Sequence, residues 1–457
     1  MLKQPNLLPA PREFVASAGI LDPRTLTVSE SLVPQLGFEP QFVRAEAYEI
    51  TLSPGVAELK ALHPLGLGHA RTTWAQLATQ PSIPAGVIRD EPRFSWRGLM
   101  LDCARHFFPV PTILALLDRL ASLKLNRFHW HLVDDQGWRL EIPGLPRLTE
   151  LSAGGYYSTA DVQTVVAYAQ SRGITVVPEI ELPGHSGSAI AAYPKFSCTG
   201  QPLEMPTSWG ILPHVYCASS EKAASMLETI LQETCRLFPG PWVHIGGDEV
   251  VRAAWEVCPR CQAKIRAEGW DQNGADGVLA LEAAFFRRMI AFLASHGKTA
   301  VGWNEMFEHE IPRSAVVQWW HRPDLAQRSL EAGNPLLSSS TEFCYFDYPY
   351  TNHDSWYEPR YMKLTPVATV YANPVVPPGC ESLMAGIQGG EACLWTEHVS
   401  PEVLGERLDG RLEALAEVYW SFDRRPGYDS FLSRAGALGL IRPTWQVPPL
   451  SQSAAAE

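Results

Sequence analysis

Carboxylates and tryptophans recur in short clusters along this 457-residue chain. Asp248 and Glu249 are adjacent, directly after His244-Ile-Gly-Gly. Trp303-Asn-Glu305, Trp319-Trp320-His321, Tyr345-Phe-Asp347 and Trp395-Thr-Glu397 share the same character. Arg105 follows Asp102, Asp134-Asp135 follow His129-Trp-His131, and Glu179-Ile-Glu181 lead into Pro183-Gly-His185. Such a set suits a carbohydrate. Sugar hydroxyls pair with Asp, Glu and Arg, and the apolar faces of a pyranose pack on indole rings. Cleaving a glycosidic bond needs one carboxyl to protonate the leaving oxygen and another group to stabilise an oxocarbenium-like centre.

These residues must be held at one place. From residue 97 onward, strand patterns alternate with helical ones. Strands are expected at 97–102, 127–133, 174–180, 242–246, 299–303, 315–319, 335–339 and 385–394. Helices are expected at 112–123, 160–171, 221–237, 279–295 and 407–420, with Gly173 and Gly297 as stops after two of them. The segment between the fifth and sixth strands is too short for a full helix. Eight strands separated mostly by helices predict an α/β fold, a (β/α)8 barrel. Every cluster above falls at the C-terminal end of an expected strand, where such barrels carry their active sites. Before the barrel, strands at 47–53 and 56–62 around a Ser-Pro-Gly turn, then a helix at 72–79, predict a small α+β domain. Residues 80–84 and 90–94 read as its exit linker. The expected domains are 1–92, 93–425 and a C-terminal extension, 426–457, disordered over 451–457.

The strings RGLMLDCARHFFP, KLNRFHWHLVDDQGWR, VPEIELPGH, WVHIGGDEV and GGEACLWTE resemble the β-N-acetylhexosaminidases of glycoside hydrolase family 20. They span about 300 residues in the family's order, and the leading α+β unit resembles the small domain before that family's barrel. The resemblance implies exo-acting, substrate-assisted retaining hydrolysis of terminal β-linked GlcNAc or GalNAc. In that chemistry the 2-acetamido oxygen attacks and an oxazolinium forms, an exception to the two-carboxylate rule. It implies Glu249 as general acid and then base, Asp248 as the group holding the acetamide N–H, and Tyr345 as donor to the acetamide oxygen. Trp303, Trp320 and Trp395 would wall the acetamide pocket and the sugar face. Arg105 and Glu397 would hold the 3- and 4-hydroxyls, Asp347 the 6-hydroxyl side. Asp134 and His185 would support Glu249. The implied partner is an oligosaccharide or glycoconjugate.

Plainer readings stand beside these. Asp248-Glu249 could open an exposed helix, Arg105 could simply pair with Asp102 or Asp134, and Asp134 with His185 could satisfy each other while buried. His129 and His131 share one face of their strand and read as packed, hydrogen-bonded groups. A relative releasing a disaccharide or modified sugar, a non-catalytic sugar-binding protein, and a glycosidase with a protein nucleophile are the competing functions. Against the last, side chains of neighbouring strand residues diverge, which makes Asp248 an awkward nucleophile beside Glu249.

The formal net charge of −12 argues against a broad footprint for nucleic acid or an anionic membrane. No apolar window is long enough for a transmembrane helix. The first residues lack the apolar core of a secretory leader, so a cytoplasmic location is expected. No cofactor or metal is expected. Nine cysteines are scattered, unlike a compact disulfide framework. One pair, Cys258-Pro-Arg-Cys261, stands out, yet a zinc site wants a second pair or histidines at matching spacing. None is visible nearby, so the pair reads as structural thiols, with a zinc clip or a disulfide as alternatives.

Overall fold

The computed structural model describes residues 4–274 and 276–440. The expectation for 451–457 falls outside them. Contacts divide the chain into two compact units. One comprises Phe94–Asp347 and Pro374–Leu404; the other comprises the residues up to Arg93 together with Tyr348–Asn373 and the chain from Gly405 on.

The first of these units is the expected barrel. Eight parallel strands close on themselves in chain order: Trp96–Asp102, Arg127–His131, Thr175–Glu179, Trp242–His244, Thr299–Trp303, Val316–Trp319, Leu336–Ser338 and Ile387–Leu394. Strands of such barrels are covered on both faces and need no polar face; all seven residues of Trp96–Asp102 are buried, Arg97 and Asp102 included. The helix Glu221–Leu237 lies at its expected place, and Ser220 accepts from the Ala223 amide as its N-cap. Between the fifth and sixth strands there is only a 3₁₀ turn, Asn304–Glu308.

The other unit contains a five-stranded sheet in the order Glu13–Leu21, Ile83–Asp90, Tyr48–Ser53, Val56–Ala61, Thr27–Leu32. The expected exit linker is in part a strand of this sheet, Ile83–Asp90. Pro84 suggested a linker because it cannot donate to a ladder. It is tolerated because its partner Ile20 follows a register shift in the neighbouring strand. The helix expected at 72–79 runs over Pro64–Ala78, with His63 as N-cap. Gly66 hid the first turns. A Cβ there would lie 2.3 Å from the Ala47 carbonyl, so this glycine marks close packing rather than a break.

The last expected helix splits into Leu404–Leu408 and Arg411–Ser421, and the second piece is buried on every side. It belongs by contact with the N-terminal sheet. The Trp420 indole N–H donates to Asp90, which also accepts from the Tyr48 hydroxyl at 2.6 Å. The linear partition follows the order of the backbone, whereas this packing brings its two ends into one core.

Candidate active site

The segments that follow the barrel strands carry the predicted residues, and their local backbone is specialised. After the strand Trp242–His244 the chain runs through Gly246 (φ +64°) and Gly247 (φ +99°) to Glu249, itself left-handed at φ +51°. His185 is also left-handed, at φ +44°. Non-glycine residues in this region carry strain that persists only where surroundings fix it, and such positions gather at functional sites. At Gly246 a Cβ would lie 1.6 Å from the Glu181 carboxylate.

The turn corrects one expectation. Asp248 and Glu249 lie beyond the strand, and their side chains converge instead of diverging. His185 Nε2 sits 3.8 Å from Asp248 and 3.5 Å from Glu249. The other ring nitrogen, Nδ1, lies 3.2 Å from Asp134 and 3.5 Å from Asp135. Asp134 in turn holds Arg105 at 2.9 Å. Arg105 also contacts Asp102 at 3.3 Å and donates Nε–H to Gln136 at 3.0 Å. Its guanidinium lies 5.3 Å from the Trp395 ring. The plainer reading of Arg105, pairing with Asp102 or Asp134, is therefore true of both partners. The hydrogen bonds to Gln136 and Asp102 use two of the five N–H groups of a guanidinium, and the second terminal nitrogen forms the ion pair with Asp134.

Aromatic rings continue the rim. Trp395 is 5.9 Å from Trp303 and 6.5 Å from Tyr345, and Tyr345 lies nearly parallel to Trp320 at 6.1 Å. The Tyr345 segment is pinned to the eighth strand, since the Phe346 amide donates to the Cys393 carbonyl and the Cys393 amide to Cys344. Trp320 donates its indole N–H to Glu305 at 3.0 Å. Glu305 adds its negative charge to the surroundings of Asp248. Contacts thus run from Arg105 through Asp134 and His185 to Asp248, and from Glu305 through Trp320, Tyr345 and Trp395 back to Arg105; between the two runs, Asp248 feels the charge of Glu305. Glu397, half-buried, faces the field of Arg105. Asp347, also half-buried, follows Tyr345 by two residues.

The environment divides the carboxylates. Burial pushes Asp248 up to about 8, against the opposing pull of His185, and Glu305 and Glu249 push the same way. Glu249 is the more open of the two, its side chain 30% exposed. Burial alone would keep Asp134 neutral, but Arg105 and His185 hold it ionised, well below the usual range. Burial likewise opposes charge on His185, and the ionised Asp134 outweighs it, so the imidazole is held protonated. Asp248 Oδ1 is buried and has no hydrogen-bond partner among the described residues.

One residue of this site escaped the sequence reading, and two were named there without a role. Gln136 links Arg105 to the Ser208 carbonyl, to which it donates at 2.8 Å. Glu179 is a hub beneath the rim, accepting from Trp303 at 3.0 Å and lying 2.6 Å from His244 and 3.0 Å from His129. Glu181 is buried, both its oxygens lack a hydrogen-bond partner among the described residues, and burial with the charges of Asp248 and Glu179 pushes it well up. All but Gln136 fell in quoted strand-end clusters; nothing in a lone sequence told the buried, inner carboxylates from those at the rim. His129 and His244, and separately His131 with Glu181, bring ligand-type atoms to Glu179, yet all three histidines pair with that carboxylate, as the packed reading of His129 and His131 anticipates.

Residues 94–423 match the family model described as glycosyl hydrolase family 20, catalytic domain. The chain belongs to glycosyl hydrolase family 20. It is by that membership a glycoside hydrolase. It is 35% identical over 404 residues to a β-hexosaminidase of Akkermansia muciniphila, covering 83% of this chain and 80% of the relative. A β-hexosaminidase of Porphyromonas gingivalis is 34% identical over 370 residues, covering 77% of this chain but 46% of the relative. The chain thus spans about half the length of that second relative. The solved exo-β-N-acetylglucosaminidase of Vibrio harveyi, in complex with N-acetylglucosamine, superposes with a TM-score of 0.82 at 26% identity, covering 96% of this chain and 79% of that one.

Proposed function

We propose that this family 20 hydrolase is an exo-acting, retaining β-N-acetylhexosaminidase that uses the substrate's own acetamide as nucleophile. The observation that carries the reading is the buried, unpartnered Asp248 Oδ1 beside Glu249, both next to His185, among the aromatic and charged side chains of the rim. That oxygen is free to accept the acetamide N–H. Tyr345 supplies the hydroxyl that orients the acetamide oxygen toward the anomeric carbon. Trp303, Trp320 and Trp395 enclose the acetamide methyl and the sugar face.

Two features favour substrate assistance over a protein nucleophile. A carboxyl held neutral to about pH 8 is a weak nucleophile. Its burial instead makes it sensitive to a positive neighbour. As the acetamide closes to an oxazolinium, the new cation offsets the desolvation that disfavours the Asp248 carboxylate in the empty site, so the contact strengthens as the reaction proceeds. Glu249, more open, protonates the leaving oxygen and then takes the proton from the incoming water. The cation His185⁺, fixed by Asp134, lies 3.5 Å from Glu249 and stabilises the carboxylate left after proton transfer.

Arg105 keeps N–H groups on its terminal nitrogens for sugar hydroxyls, with Glu397 as their acceptor partner and Asp347 on the 6-hydroxyl side. The substrate is then a non-reducing terminal GlcNAc or GalNAc of an oligosaccharide or glycoconjugate. The test compares nitrophenyl β-glycosides of N-acetylglucosamine and of glucose, with and without a thiazoline analogue of the oxazolinium. Cleavage of the acetamido sugar alone, blocked by the thiazoline, is expected. Equal cleavage of both sugars would establish a protein nucleophile and defeat the reading.

A further inference from the structure

The pair Cys258-Pro-Arg-Cys261 does not stand alone. Cys198 and Cys217, 63 and 44 residues before Cys261, meet it in the barrel unit. All four Sγ atoms lie within 4.8 Å of one another. Cys261 Sγ is 3.9 Å from Cys198 and 3.8 Å from Cys217. A disulfide needs about 2.05 Å, and all four cysteines are free. Sulfurs placed about 2.3 Å from a central Zn²⁺ in a tetrahedron would stand about 3.8 Å apart. The spacing here is that of a tetrathiolate edge.

The surroundings fit the same purpose. Cys217, Cys258 and Cys261 are buried among Val215, Trp255, Ile265 and Leu281. Cys258 caps the helix Pro259–Glu268, so Cys261 falls in its first turn. A helix N-terminus favours thiolate over thiol. The Ser219 hydroxyl lies 3.3 Å from Cys261 Sγ and 3.5 Å from Cys217 Sγ, placed to donate to thiolates. Arg260, inside the Cys-x-x-Cys turn, donates to the carbonyls of Ser197 and Cys198 at 3.0 and 3.1 Å. It ties the two ligand segments together and sets a cation beside a doubly negative centre.

We infer that Cys198, Cys217, Cys258 and Cys261 bind one Zn²⁺ as four thiolates, a structural staple within the barrel unit. A closed four-thiolate shell leaves no open position and takes no part in glycoside chemistry. The staple joins two segments that also reach the rim. Between the first two ligands runs the loop whose Ser208 carbonyl is held by Gln136 and whose His214 carbonyl accepts from Ser186. The second two ligands follow Glu249 by nine and twelve residues. Zinc would therefore hold a flank of the sugar pocket in place.

The test is metal analysis of the full chain purified from zinc-containing medium under reducing conditions. One zinc per chain is expected, with an X-ray absorption edge fitted by four sulfurs at about 2.3 Å. Cys261→Ser should lose most of the zinc and become sensitive to proteolysis between residues 199 and 216. Cys235→Ser, outside the cluster, should keep its full complement. If Cys261→Ser does not fold, Co²⁺ exchange into the unaltered chain gives the same answer through the intense visible absorption of tetrahedral cobalt thiolate. Zinc below about a tenth of stoichiometry, iron in its place, or disulfides among these four cysteines in the mass spectrum would each overturn the assignment.

Discussion

Glu249 and Asp248 are neighbours in sequence, the proposed mechanism gives them opposite tasks, and each makes its own prediction. Without its proton donor, Glu249→Gln should lower kcat on natural disaccharides by about 10²–10⁴. Nitrophenyl glycosides, whose leaving group needs less help, should suffer less. Near-normal turnover of the disaccharide would remove Glu249 from its role. Asp248 makes a prediction about stability. Folding raises its pKa from 3.8 to about 8. A group whose pKa rises on folding contributes stability that is whole below the unfolded value and is lost as pH climbs to the folded one. Asn at this position carries no such loss. The stability gained by Asp248→Asn should therefore grow from about pH 4 to about pH 8 and level off above, while kcat falls. Thermal melts of both proteins across that range would show it; a difference constant with pH would mean that Asp248 is ionised throughout.

Turns, not strands, give the site its form, and turns were the least legible part of the sequence. The eight barrel strands could be read from apolar runs broken by helical periodicity, and Thr299–Trp303 and Glu221–Leu237 have the expected limits. The unit that holds the N-terminal sheet was read less well. The exposed strand Glu13–Leu21 shows little of the alternation that a half-buried strand needs, and Pro84 and Gly66 looked like interruptions. At the rim, the motifs pointed to the candidate residues but not to their convergence. That depends on left-handed angles at His185 and Glu249, and only glycines announce such angles in a sequence. The four-cysteine cluster was hidden for a related reason: two of its members lie far from the visible pair. Gly246 tests the turn directly. Gly246→Ala meets both a left-handed φ and the Glu181 carboxylate, whereas Gly200→Ala, at φ +66°, meets open space. Both should lose about 1–3 kcal/mol to backbone strain. Only Gly246→Ala should lose more in melting experiments and, by displacing Glu181 and the Asp248 loop, lose kcat as well. Equal losses would show that Glu181 moves aside without effect.

At the scale of the chain, the N-terminal sheet is completed by residues that come at the far end. Glu417 is the keystone of that unit. It accepts from the Ala10 amide at 3.0 Å, from the Tyr371 hydroxyl at 2.8 Å and from both terminal nitrogens of Arg434 at 2.7 Å. Glu417→Ala would leave Arg434 buried without its carboxylate and should cost about 3–5 kcal/mol. Denaturant unfolding monitored by tryptophan fluorescence is the measurement; a loss under about 1 kcal/mol would mean that water replaces the carboxylate. The bond between Ala10 and Glu417 closes a loop of 407 residues. At about 5–20 residues per second of synthesis, roughly 20 to 80 seconds pass between the emergence of the two partners. For that interval the strands Tyr48–Ser53 and Ile83–Asp90 wait on the ribosome without Trp420 to cover Tyr48 and Asp90. A half-built sheet with open strand edges is prone to pair with other nascent chains, so the yield of active protein should depend on translation speed and on holding chaperones.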